Sequence, residues 1–256
     1  MTQEELLEKG TRALESGELN VALKSFQQAV ALRESPEAWL LLAEAQIESG
    51  QFSKAHTSLE TGLKLDPEDA DLLCVLGDLY LEEAKYTDAI KSYQRIIDLD
   101  PDDLDAWVSI AMAYVNLDNF EAAEASCRKA LEKDPDCVFA LNALGDIQVA
   151  QGHSESAILN FKRAAELDPQ DPQAFLSLAE LFYDSEKLEE AEAYCLKCLQ
   201  LDAGIPGGYL TLGNIYLDLD RTQDAVENYQ QFLRLEKSPA AKQICDEVAA
   251  VIDGLR

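Results

Sequence analysis

Displaced by 34 residues, the sequence falls on itself. One column of that alignment, Gly10, Ala43, Gly77, Ala111, Gly145, Ala179 and Gly213, holds only glycine or alanine, residues small enough to let helices meet closely. A second column, Ala22, Ala55, Ala89, Ala123, Ala157, Ala191 and Ala225, is alanine throughout. Two bulky columns accompany them: Leu6, Trp39, Leu73, Trp107, Leu141, Phe175, Tyr209, and Phe26, Leu59, Tyr93, Cys127, Phe161, Cys195, Tyr229. A segment this short cannot enclose a core alone. It needs copies of itself on either side, so the chain must be a stack of units that touch only their neighbours.

Within one copy, Leu73, Leu76, Gly77 and Tyr80 recur at three- and four-residue steps, the apolar stripe of a helix. After the break at Ala84-Lys85-Tyr86-Thr87, the residues Ala89, Ile90, Tyr93 and Ile96 make a second stripe, which Asp100-Pro101 ends. Proline lacks the amide hydrogen and disfavours helical geometry in the residue before it. Pro67, Pro101, Pro135 and Pro169 close four consecutive copies, each after an aspartate.

This helix–turn–helix pattern resembles the tetratricopeptide repeat. The resemblance implies an all-α fold, a right-handed α-α superhelical solenoid. Seven repeats are expected at 3–35, 36–69, 70–103, 104–137, 138–171, 172–205 and 206–238, with a C-terminal capping helix at 239–256. Lys9 takes a position held by leucine or isoleucine elsewhere, which marks an exposed first face. Glycines 204, 207 and 208 at the joint of the last two repeats weaken a helix start and predict a looser joint. The final stripe, Ile244, Val248, Val251, Ile252 and Leu255, predicts one amphipathic helix, and the chain reads as a finished solenoid.

The sequence carries 49 acidic and 21 basic residues, a net charge of −28. Such a surface repels nucleic acid and anionic lipid, so neither is an expected partner. The N-terminus has no basic and apolar leader pattern, and no apolar run spans a membrane; a cytoplasmic location follows by default. Cys195-Leu-Lys-Cys198 lacks the second pair a zinc site requires, and both cysteines fall in core columns, so they read as packing thiols, as does Cys127. The acidic run Asp100–Asp105 lacks the glycine and closing glutamate of a calcium loop and reads as a turn with an N-cap. His56 and His153 have no nucleophile context, and no phosphate or dinucleotide loop occurs. No enzyme activity, cofactor or metal is expected.

In the resembled family the first helix of each repeat lines the concave face, where ligands commonly lie. Of the 42 positions of this chain that fall there, 14 are acidic and none is basic. The chain average gives about eight and about three. Basic residues gather instead on second helices, among them Lys91, Arg95, Arg128, Lys129, Lys162 and Arg163. The candidate partner-binding residues are Glu37, Leu40, Leu41, Glu44 and Glu48 in the second repeat, and Asp71, Val75, Asp78 and Glu82 in the third. Asp105, Val108 and Met112 follow in the fourth, Asn142 and Asp146 in the fifth, Leu176, Glu180, Tyr183 and Asp184 in the sixth, and Asn214 in the seventh. The reading is a protein-binding scaffold for a basic segment with apolar anchors. Two alternatives stay open: an assembly subunit that masks a client segment, and a scaffold that self-assembles into a homo-oligomer. The family's carboxylate clamp for acidic tails needs groove lysine and arginine, which these positions lack. Its asparagine ladder needs one fixed asparagine per repeat, whereas Asn116, Asn142 and Asn214 fall at different positions.

Overall fold

A computed structural model describes residues 1–255. The described chain is helical, and its first fourteen helices fall in consecutive pairs. The first pair is α1 (Gln3–Glu15) and α2 (Leu19–Leu32), the second α3 (Pro36–Glu48) and α4 (Phe52–Leu65), the third α5 (Ala70–Glu82) and α6 (Tyr86–Leu99). The fourth is α7 (Leu104–Val115) and α8 (Phe120–Lys133), the fifth α9 (Val138–Ala150) and α10 (Ser154–Leu167). The sixth is α11 (Pro172–Asp184) and α12 (Leu188–Leu201), the seventh α13 (Pro206–Asp218) and α14 (Thr222–Leu235). A 3₁₀ turn at Pro239–Ala241 leads into α15 (Lys242–Gly254).

Caps written in the sequence set most of the first-helix starts. Ser35, Asp69, Asp103 and Asp171 each accept a backbone N–H from the first turn of the helix that follows. Thr2 and Glu5 form a reciprocal capping box at α1. Asp103 accepts from Ala106 N at 2.8 Å, and Asp100 accepts from Asp102 N at 3.0 Å. The acidic run around Pro101 is therefore spent on a turn and a cap. Between the two helices of each pair one residue sits in the left-handed region: Gly17, Gly50, Ala84, Asp118, Gly152, Glu186 and Asp220, with φ between 55° and 77°. The turn thus repeats its backbone shape whether or not glycine is there to relieve it.

The chain divides into two compact units, Met1–Pro135 and Asp136–Arg256. In each, a first helix packs on its own second helix, and a second helix packs on the next first helix. First helices of successive repeats also touch, as α1 with α3, α3 with α5, and α11 with α13. The alanine column is completely buried, from Ala22 to Ala225. A continuous cluster around Phe161, Leu178, Ile215 and Tyr229 forms the core of the second unit. Smaller clusters centred on Phe26, Leu59 and Tyr93 serve the first.

The glycine–alanine column has a cause beyond close helix approach. Glycine stands where the paired second helix carries an aromatic ring: Gly10 with Phe26, Gly77 with Tyr93, Gly145 with Phe161, Gly213 with Tyr229. A Cβ on Gly145 would lie 2.6 Å from the Phe161 ring, and one on Gly77 would lie 2.7 Å from Tyr93. Alanine stands at Ala43, Ala111 and Ala179, in the repeats whose second helix supplies Leu59, Cys127 and Cys195. Volume is conserved within each pair, as dense packing demands.

Two expectations need correction. Gly207 and Gly208 do not slacken their joint. A Cβ on Gly208 would come within 2.8 Å of Leu199, and one on Gly207 within 3.2 Å of Leu176, so both glycines admit a close fit. The last helix also turns a different face inward. Val248 and Ile252 are buried with Cys245 packed beside them, whereas Ile244 and Val251 are exposed. The expected stripe mixed two neighbouring faces of one helix.

Candidate functional site

The second-helix cations are largely committed to structure. Arg95 donates to the Pro67 carbonyl at 2.6 Å, and Lys133 pairs with Asp102 at 2.5 Å. Arg163 pairs with Asp136 at 2.7 Å. Each clips a second helix to the turn that ends the previous repeat. Arg128 and Lys129 pair along their own helix with Glu124 and Glu132. Lys162 and Lys187 lie over the Phe182 ring, and Lys197 over Phe175.

Beyond α1, where Glu8 pairs with Arg12, no carboxylate of a first helix forms an ion pair among the described residues. In the first unit, Glu37, Glu48, Asp71, Asp78, Glu82, Asp105 and Met112 are exposed, while Leu40, Leu41, Glu44, Val75 and Val108 are half-buried. Burial raises the Glu44 carboxyl above the usual range, and Glu48 on its own helix and Asp71 on α5 raise it further. Burial, followed by Asp78, Asp103, Asp71 and Asp105, pushes the Cys74 thiol to about 11. Four aspartates from two repeats thus converge on one side chain. Asp78 also accepts a hydrogen bond from the Tyr93 hydroxyl at 2.5 Å.

In the second unit, Asp146, Glu180 and Asp184 are exposed and Asn142, Tyr183 and Asn214 half-buried. Burial raises Asp146, and burial followed by Asp184 and Asp146 raises Glu180. Carboxylates on α9 and α11 therefore share one face. Tyr183 donates to Asp218 at 2.9 Å, Tyr229 to Asn214 at 2.8 Å, and Asn142 to Asp171 at 3.1 Å. Leu176 is the candidate that fails: it is only 7% exposed, because Gly207 lets the next helix close over it. It cannot anchor a guest.

Two kinds of residue escaped the candidate set. Arg12 and Arg33 line an open cavity of about 1010 Å³ on the first pair of helices, beside Glu4, Glu8, Glu15 and Glu37. Arg12 is on α1 and pairs with Glu8 there; Arg33 follows α2, where a count of first-helix positions does not look. Phe139 is 72% exposed and Val149 43% exposed on α9, at positions where other repeats carry Asp71 and Leu81. An aromatic residue in a column of charges was the available signal. No cluster of histidine, cysteine and carboxylate suited to a metal occurs among the described residues.

Tetratricopeptide repeat profiles match residues 13–78, 74–137, 142–206 and 206–239. The chain belongs to the tetratricopeptide repeat family. A tetratricopeptide repeat protein from Parabacteroides merdae superposes with a TM-score of 0.76 at 20% identity, over 98% of both chains. Yeast Tom70 matches with a TM-score of 0.74 at 16% identity; the match covers 99% of this chain and 53% of Tom70. PilF from Pseudomonas aeruginosa matches with a TM-score of 0.68 at 18% identity, over 83% of this chain and 97% of that one. No curated protein matches the sequence. Tetratricopeptide repeats are typically protein-interaction scaffolds, and none of the described helices of this member is long and apolar enough to cross a membrane.

Proposed function

We propose that this tetratricopeptide repeat protein is a non-enzymatic scaffold whose first-helix face receives a basic segment with apolar side chains. The observation that carries the reading is the separation of charge. Cations of the second helices are engaged by turns, neighbouring carboxylates and rings, while Glu44, Asp146 and Glu180 face other carboxylates and form no ion pair among the described residues. One pair of carboxylates 10 Å apart repels by only about 0.4 kcal/mol in water. Several such pairs on the first helices of one unit add, and a cationic guest bound there relieves them together. Half-buried Leu40, Val75 and Val108 and exposed Met112 offer apolar contact between the charges.

The test is a calorimetric titration of a lysine- and arginine-rich peptide of about twenty residues at about 50 mM and about 500 mM NaCl. Screening over this range shortens the Debye length severalfold, so affinity must fall steeply. Absence of binding, or binding indifferent to salt, overturns the reading.

A further inference from the structure

The turn that closes the first repeat reverses a charge that the other repeats keep. Each second helix ends on a C-cap residue, and from the second repeat on that residue is acidic: Asp66, Asp100, Asp134, Asp168, Asp202 and Glu236. In the first repeat it is Arg33. Asp66, Asp100, Asp168, Asp202 and Glu236 each accept the backbone N–H two residues on, at 2.7–3.1 Å, which closes the turn. Arginine has no side-chain acceptor, so it cannot close a turn this way. The first turn is built differently: three residues separate α2 from α3, where four separate α4 from α5. Gln3 of α1 closes it, donating to the Arg33 carbonyl at 2.7 Å and to the Ser35 hydroxyl at 3.2 Å. Arg33 is thereby pinned beside α1, while its guanidinium forms no ion pair among the described residues.

Arg33 lines the open cavity of about 1010 Å³ on this repeat, together with Arg12, Glu4, Glu15 and Glu37. Arg12 is held by Glu8, so Arg33 is the cation left over. We infer that Arg33 receives an acidic side chain bordering the basic segment of the guest, and so fixes which end of the guest lies on the first repeat. The inference rests on the proposed basic guest and adds its direction. A guanidinium presents its donors in a planar fork that matches a carboxylate with two hydrogen bonds at once. The glutamates decide what else the occupant carries. They repel an isolated anion, so a carboxylate reaches Arg33 only on a chain whose own cations meet Glu4, Glu15 and Glu37. The occupant is a segment of mixed charge, basic along its length with an acid at one end. The cavity is open rather than closed at one side, which suits a side chain on a backbone that runs through.

The experiment titrates two peptides of about twenty residues into the full chain at about 50 mM NaCl. One is built of lysine and leucine; the other is the same with glutamate in place of its last lysine. Both are acetylated and amidated, so neither brings a terminal charge. Compared with the native chain, Arg33→Gln should bind the glutamate-ended peptide about threefold more weakly. It should bind the all-basic peptide about twofold more tightly, because a repelling cation is gone. Arg33 is exposed and the turn is held through its backbone carbonyl, so this variant keeps its fold, which circular dichroism verifies. Opposite responses of the two peptides mark the subsite, since a merely structural role would weaken both alike. Equal weakening of both, or no change in either, overturns the subsite and leaves the basic-guest reading standing. A third peptide, all basic with a free C-terminal carboxylate, separates the two sources of the acid: a loss in Arg33→Gln for this peptide alone overturns the assignment to a side chain. If no peptide binds the native chain, both readings fail.

Discussion

Gly145 exists because of Phe161: a Cβ on the glycine would sit 2.6 Å from the ring that fills the space between α9 and α10. Gly145→Ala is therefore an overpacking change and costs about 1–3 kcal/mol. In a chain of this size that lowers Tm by about 2–4 °C for each kcal/mol. The double variant Gly145→Ala, Phe161→Cys copies the Ala111–Cys127 pair of the preceding repeat. It is predicted to be more stable than the sum of its parts by about 0.5–3 kcal/mol in a double-mutant cycle. Simple additivity would show that the two columns do not compensate.

Ala84 and Glu186 hold a left-handed conformation, with φ of 57° and 58°, at a turn where Gly17, Gly50 and Gly152 do so without penalty. A side chain there costs about 1–2 kcal/mol, partly offset by the extra freedom glycine brings to the unfolded chain. Ala84→Gly is predicted to raise stability by about 0.5 kcal/mol in denaturant unfolding, where most glycine substitutions lower it. A loss of stability would contradict the strain.

Cys74 is exposed but ringed by Asp71, Asp78, Asp103 and Asp105, with its thiol pushed to about 11. Reactivity follows the thiolate, so labelling by a neutral maleimide at about pH 8 should run at least about tenfold slower than for free cysteine. The rate should climb with pH up to about 11. Asp78→Asn removes one of the charges and speeds the reaction. Fast labelling at neutral pH would mean that the aspartates do not surround the sulfur.

Glu44, Asp146 and Glu180 have carboxyls raised in the folded state. A raised acid binds protons more readily when folded, so its ionisation weakens the fold as pH rises through the window above the unfolded value. Stability should accordingly grow as pH falls from about 7 toward about 5, before other carboxylates protonate. Glu83 acts in the opposite sense, because His56 and Lys85 hold its carboxyl low. Glu180→Gln should raise Tm at neutral pH by about 1–3 °C and flatten the acid-side gain. A lower Tm in that variant would show that the face repels less than its charges imply.

The repeat and its helix starts were legible because caps, prolines and small residues are local signals. Ser35, Asp69, Asp103 and Asp171 announce helices that the backbone does begin at the next residue. Which face of an element ends up covered was less legible, because that depends on the neighbour. Leu176 reads as a groove residue from its spacing, yet Gly207 in the next repeat lets a helix close over it. Ile244 and Val251 read as core, yet α15 has too few neighbours to cover both of its apolar faces. The excess of carboxylates on the first helices was visible by counting. That Asp78 is shared with Tyr93, and that Glu180 faces both Asp184 and Asp146, depends on contacts between helices that spacing does not encode.

The most direct test of the central claim separates the place of the charge from its amount. One variant carries Glu44→Gln, Asp78→Asn, Asp146→Asn and Glu180→Gln on first helices. A control carries Glu60→Gln, Glu121→Gln, Glu155→Gln and Glu189→Gln on second helices, so both lose four charges. Titrated with the same basic peptide at about 50 mM NaCl, the first variant should bind at least about tenfold more weakly than the control, which stays near the native chain. Equal weakening of the two would show that the peptide responds to net charge alone and would contradict a binding face on the first helices.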